Sequence, residues 1–285
     1  MTAVEATAGR GNGGRGWMRR SPAAAVGTVI LVAILAMAAL APLLAPYDPI
    51  AQDIAARLAP PSPAHWLGTD GFGRDIVSRL IYGSRPTLLI ISLVALIMAP
   101  LGTAIGIVAG YYGGIVDRVL MRLTDMVMSF PRLILAFAFV AVLGPGLLNA
   151  ALALALTSWP PYARQARVET QAMRKSDYLS SAEMLGIRGP RLLIGHVLPL
   201  VFSLAIVRVA LDLAGMVLIA AGLGFLGLGV RPPTAEWGTM VADGTSVIFD
   251  QWWVAASPGV CILIASLSFN LLADGLRDLL DPRNG

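Results

Sequence analysis

Charge-free apolar stretches occupy residues 21–47, 86–116, 133–163 and 251–273, and a shorter one, 216–230, extends upstream. An apolar run beyond about 18 residues is long enough to cross a bilayer as a helix. Only 13% of the 285 residues are charged and 56% are hydrophobic, whereas a soluble domain is about 25% charged. The mean hydropathy is +0.73. These features define an all-α polytopic membrane protein. The first stretch is too long for a cleaved leader and leaves through "LAPLLAPYDP", so it stays as a span.

Six crossings fit, at about 22–45, 86–110, 119–143, 147–165, 201–228 and 253–273. The third contains Arg122, Asp125, Pro131 and Arg132, so only residues 133–143 of it are free of charge. A single crossing over 133–163 would give five spans. It is disfavoured by "LGPG" at 143–146, which is turn chemistry, and by its length. With six spans both termini are cytoplasmic, and fourteen Lys and Arg lie in inside segments against five outside: Arg57, Arg74, Arg79, Arg85 and Arg231. That is the bias of the positive-inside rule. Residues 1–20 then form a glycine-rich cytoplasmic tail and 21–285 the transmembrane unit, with an outside loop at 46–85. Gly102, Gly106 and Gly110 fall four apart in the second span, a spacing that lets two helices approach closely.

The chain carries few signs of chemistry of its own. Its one lysine, Lys175, is not preceded by a phosphate-binding glycine loop, so a nucleotide-hydrolysing site is excluded. His65 and His196 fall on opposite sides of the membrane, no hydrolase motif is present, and no metal site is expected. Cys261, the single cysteine, sits in an apolar run and reads as packing. The basic balance, +4, is spread over loops and is not a nucleic-acid surface. Arg208 and Asp212 lie four apart in the fifth span, on one helical face, where they either pair against a neighbouring helix or line a translocation path. Arg122 and Asp125 read as a structural pair.

From the largest inside loop, 166–198, into the next span runs "DYLSSAEMLGIRGPRLLIGHVLPL" (177–200), a short helix ending at Gly186 and a return to the bilayer near Pro199. Such a tethered helix suits docking onto a cytosolic partner. The segment resembles the coupling loop of bacterial ABC importer permeases, E-A-A, three residues, G, nine residues, I-x-L-P. Ala182, Gly186, Leu198 and Pro199 match, while Ser180, Ser181 and His196 replace Glu, Ala and Ile. Further blocks follow the same order: "APLLAPYDP", "HWLGTDGFGRDIVSRLIYGSR", "AGYYGGIVDRVLMRLTD", "GFLGLGV", "RPPTAEWGTM" and "FNLLADGLRDLLDPR". Nearly the whole chain after about residue 17 is similar to the C-type permease subunits of dipeptide, oligopeptide and nickel importers.

The resemblance implies a type I importer permease fold in the bacterial cytoplasmic membrane, translocating di- or oligopeptides by alternating access. It also implies a homologous second permease, two cytosolic ABC ATPases that use ATP and Mg, and an extracytoplasmic substrate-binding protein. This chain itself would bind no cofactor. Ser180, Ser181, Ala182, Glu183, Gly186, Ile187, Arg188 and Pro199 would couple to the ATPases. Arg208 and Asp212 are the candidates for the path, and Trp66, Asp70, Arg74 and Trp237 for the binding-protein contact. A nickel-chelate or glutathione importer of the same family is the near alternative. An ion-coupled secondary transporter with Asp212 or Asp125 as its proton-linked carboxylate is the distant one.

Overall fold

A computed structural model describes residues 22–280, so the expected tail at 1–20 and the last five residues lie outside the described residues. The described residues form helices and connecting loops, with a single isolated β-bridge between Thr69 and Asp75. In chain order the main helices are α1 (Pro22–Ala39), α2 (Ile76–Tyr112), α3 (Gly114–Met128), α4 (Arg132–Leu143) and α5 (Leu147–Ser158). They continue as α6 (Pro160–Met173), α7 (Asp177–Met184), α8 (Pro190–Phe225), α9 (Trp237–Thr245) and α10 (Trp252–Leu280). By length and composition four of them can cross a membrane: α1, α2, α8 and α10. A fifth crossing exists if α3 and α4, bent by 92° at their break, form one span.

Several expected boundaries move, each for a local reason. The span placed at 86–110 starts at Ile76, because Asp75 caps the helix by accepting the Ser78 N–H at 2.8 Å. At 37 residues α2 is about 55 Å long, well beyond the hydrocarbon core, so it extends past the bilayer. The segment expected at 119–143 is two helices, because Pro131 sits at φ −57°, ψ 125°, outside the helical region. The segment at 147–165 is also two helices, joined at Trp159 ahead of Pro160 and Pro161. Trp159 keeps helical angles (φ −71°, ψ −27°), so α6 continues from α5 through a junction without a reversal. The span expected from 201 begins at Pro190 and passes through a π-turn at Leu193–Val197 just before Pro199. Proline lacks an N–H and crowds the carbonyl four residues back; a π-turn at that point takes up the misfit. The first span ends at Ala39 instead of 45, and the last runs to Leu280 instead of 273.

Glycine spacing decides how α2 and α6 meet. A Cβ on Gly102 would stand 2.4 Å from the Trp159 carbonyl oxygen, on Gly106 2.3 Å from that of Ala163, and on Gly110 2.7 Å from that of Arg167. Both helices advance four residues per contact in the same direction, so they run parallel. The intervening chain, α3 with α4, therefore returns to the end where α2 began. The same test runs α1 against α10: Gly27 faces Leu271 and Leu272, while Ile30 and Ile34 share a cleft with Cys261 and Ile264.

Two poles result. One gathers the 46–75 loop, the turn before α5 and the loop around α9, as in Arg231 Nε donating to the Pro145 carbonyl at 3.0 Å and Trp237 Nε1 donating to that of Leu80 at 2.9 Å. The other gathers a small core of Ile107, Ala166, Leu179, Ala182, Val197 and Val201, separate from the main core of the bundle.

Candidate coupling segment and translocation path

Ser176 starts α7: its backbone is extended and its hydroxyl accepts the Leu179 N–H. Leu179 and Ala182, three residues apart, face inward onto the small core formed by the ends of α2, α6 and α8. Ser180, Ser181 and Glu183 face outward. The helix closes with a Schellman turn, in which Gly186 N–H reaches Glu183 O at 3.0 Å and Ile187 N–H reaches Ala182 O at 3.1 Å. Gly186 adopts φ +83°, the left-handed region that glycine enters without penalty. Ile187 then packs beside the same core. Arg188 is exposed, and Gly189, also left-handed, leads into α8.

The result is a short rigid helix held at the junction of three long ones, with Met184 and Leu185 87% and 82% exposed at its tip. Two apolar side chains thus project from a polar pole as an exposed knob. Pro199 is exposed at the start of the regular part of α8. His196, which stands where the resembled motif has isoleucine, meets Tyr178 of α7, with its Nδ1 2.9 Å from the Tyr178 hydroxyl. That link ties α7 to α8. Sequence spacing gave no sign of Tyr178, because the chain turns at Gly186 and Gly189 between the two residues and no single helical period relates them.

In α8, Arg208 Nε lies 3.5 Å from Asp212 Oδ2, so the expected i,i+4 pair forms. Its third member was not foreseen: the buried Tyr162 of α6 donates its O–H to Asp212 Oδ2 at 2.9 Å. The Arg208 guanidinium lies 5.5 Å from the centre of the Tyr162 ring. The Arg208 and Asp212 side chains are 35% and 24% exposed in the chain, neither sealed in the core nor free of it. Arg208 Nε makes no hydrogen bond. The expected Arg122–Asp125 pair does not form. Asp125 instead binds Arg164 of α6 at 2.6 Å, and Asp117 binds Arg167, so the polar face of α3 clasps α6. Arg122 lies beside the exposed apolar stripe of Ile115, Val119, Leu123 and Met126.

At the opposite pole, the four residues expected to touch a binding protein separate. Trp66 is 69% exposed. The other three side chains are buried within the chain, Asp70 and Arg74 inside the loop and Trp237 against α2. Asp70 Oδ1 accepts the N–H groups of Phe72 (2.8 Å) and Arg74 (3.1 Å), and Asp70 Oδ2 accepts Arg74 Nε at 2.7 Å. Arg79, which the sequence did not single out, brings its Nε to 3.2 Å from the same oxygen. Trp237 fills the space over Gly83. Its neighbour Glu236 caps α9 by accepting the N–H groups of Gly238 and Thr239. Burial pushes the Glu236 carboxyl above the usual carboxylate range, against the pull of those two N–H donors. Among the described residues no three of His, Cys, Asp or Glu gather as a metal site.

Residues 102–285 match the family described as binding-protein-dependent transport system inner membrane component. Residues 17–61 match the N-terminal TM domain of oligopeptide transport permease C. The probable D,D-dipeptide transport system permease protein DdpC of Escherichia coli (strain K12) is 43% identical over 270 residues, 94% of this chain and 91% of that protein. The dipeptide transport system permease protein DppC of Haemophilus influenzae is 37% identical over 273 residues, 94% and 92%. The nickel transport system permease protein NikC of Escherichia coli (strain K12) is 42% identical over 255 residues, 89% and 92%. With about two thirds of its length matched by one profile and such relatives along nearly all of it, the chain belongs to the inner membrane components of binding-protein-dependent transport systems.

Proposed function

We propose that this chain is one of two different permease subunits of an ATP-driven importer that carries di- and oligopeptides across the bacterial inner membrane. The observation that carries it is α7: a capped, Gly186-terminated helix with exposed Met184 and Leu185, seated where α2, α6 and α8 converge. A partner that moves α7 moves three membrane helices together. Two cytosolic ATPases would bind ATP and Mg and grip this knob, a homologous permease would complete the pore, and an extracytoplasmic binding protein would deliver substrate. This chain would bind no cofactor. ATP-driven closure that favours one permease conformation over the other shifts the population, which is all that alternating access requires.

Six crossings with both ends in the cytoplasm suit the helix directions. α1, α2, α3 with α4, α5 with α6, α8 and α10 would each cross once, and residues 1–20 would lie inside. Ser180, Ser181, Ala182, Glu183, Gly186, Ile187, Arg188 and Pro199 belong to the coupling unit; the first two and Glu183 present polar groups beside the knob. Trp66 is the exposed candidate for the binding protein, with Asp70, Arg74 and Trp237 holding its loop. The dipeptide relatives favour peptides. The nickel relative, of similar identity, makes a nickel chelate the second reading.

Purification of the tagged chain in a gentle detergent tests the assembly. It should bring down a second permease and P-loop ATPases with ATPase activity; a lone, ATPase-free chain would overturn the proposal. The role of Arg208 and Asp212 is a separate question. Exchanging both, Arg208→Asp with Asp212→Arg, moves the charges by one helical turn and leaves Tyr162 facing an arginine. If the two residues line the path, uptake falls about tenfold or more at normal membrane level, from the loss of charge-assisted contacts. Uptake near wild type at normal membrane level would remove the pair from the path.

A further inference from the structure

Between the loop before α2 and the segment joining α8 to α9 lies a cavity of about 650 Å³, of small-molecule size. Its wall carries Arg74, Arg79 and Arg231 against one acid, Asp243, with Phe225 and Val230 supplying apolar surface. Asp70 is not on that wall. It sits behind, already accepting from two backbone N–H groups and from Arg74 Nε. Each guanidinium has five N–H donors in a planar fork. Arg74 commits Nε to Asp70, while its Nη2 is 4.0 Å from Asp243, too far for a hydrogen bond. Arg79 donates Nη1 to the Pro49 carbonyl at 3.2 Å, and its Nε faces Asp70 Oδ2 at 3.2 Å as an ion pair without completing a hydrogen bond, so its Nη2 is left over. Both side chains are nearly fully buried. Two neighbouring cations thus share one saturated carboxylate, with donors left over beside a cavity. The Nη groups left without a protein acceptor border the cavity, and a planar carboxylate offers the matching pair of oxygens.

We propose that this cavity receives the carboxylate of a small organic acid, the C-terminus of a short peptide, on Arg74 and Arg79, with Arg231 at the rim. The apolar wall favours an organic acid over an inorganic anion. The choice of a peptide acid rests on the importer reading above.

The test uses the complete transporter in nanodiscs without its binding protein, and radiolabelled dialanine as the probe. Saturable dialanine binding is expected, with dialaninamide competing about tenfold or more weakly because it lacks the carboxylate. Arg231→Gln, at an exposed position, should weaken dialanine binding several-fold. Arg79→Lys, which keeps the charge and loses the fork, should weaken it too in complexes that still co-purify whole. Equal competition by dialaninamide, or no dialanine binding, overturns the proposal. So does a result in which Arg231→Gln leaves dialanine binding intact and instead loosens the binding protein, which would assign the pocket to an acidic side chain of that partner. ATP-driven dipeptide uptake with the binding protein present tests the importer reading by itself, so the two can fail separately.

Discussion

Gly186→Trp should reach the membrane at wild-type level and still lose uptake about tenfold or more, while ATP hydrolysis by the assembled complex continues. The reason is conformational. At φ +83° a residue with a Cβ costs about 1–2 kcal/mol, and 1.4 kcal/mol is a tenfold change in population. Space is not the difficulty, because a Cβ at this position meets nothing within 4 Å. The strain is relieved by opening the Schellman turn, which frees Ile187 from the small core and lets α7 pivot away from α2, α6 and α8. The indole would also stand beside the exposed Met184 and Leu185, the surface proposed above to meet a partner. Gly186→Asn separates the two effects, since asparagine tolerates the left-handed region; it should keep most of the uptake. Membrane level, ATPase rate and uptake measured on the same preparations decide the matter. Undiminished uptake in Gly186→Trp would remove the turn from the coupling mechanism.

Gly106→Val should be the most damaging single change in the membrane bundle. Its Cβ would meet the Ala163 carbonyl oxygen at 2.3 Å, the Ala166 Cβ at 2.6 Å and the Arg167 backbone nitrogen at 2.9 Å. Two of those three atoms are backbone, which cannot swing aside as a side chain can. Overpacking of this kind costs about 3 kcal/mol or more, because α2 and α6 must separate along their whole seam. The seam also holds Tyr162 in place, so the Arg208–Asp212–Tyr162 triad would be disturbed with it. The expected result is a sharp fall in detergent-stable protein and in thermal midpoint. Gly195→Val is the control: a Cβ there meets nothing within 4 Å, so the yield should stay much closer to wild type. Equal stability of the two variants would contradict the parallel seam.

The seam shows how far sequence could go. Glycines four apart announced a close approach, and the structure supplies one. Their partner was not legible, because nothing in α6 but its small Ala163 and Ala166 signals it. Gly186 was legible as a helix stop for the same reason glycine usually is, its freedom at positive φ. The π-turn before Pro199 and the Tyr178–His196 link were not, since both depend on where α7 packs. Charge was the least faithful guide. Asp70 and Arg74 read as surface residues because charged side chains in loops are mostly exposed, yet they pair with each other and with Arg79 inside the fold. Asp125 found Arg164, 39 residues away, in preference to Arg122 three residues before it. The break at Pro131 was not expected, since 119–143 read as one span, and the 92° bend goes with α3 being clasped to α6 by its two ion pairs.

The central claim is that transport through this chain is driven by ATP-hydrolysing partners acting on α7, not by an ion gradient acting on Asp212 or Asp125. It is tested most directly in proteoliposomes holding the purified complex, with the binding protein and a radiolabelled dipeptide on one side and ATP with Mg on the ATPase side. Uptake should require ATP, persist when a protonophore collapses the proton gradient, and fall in Gly186→Trp while hydrolysis continues. Uptake that proceeds without ATP and stops when the proton gradient alone is collapsed would contradict the account.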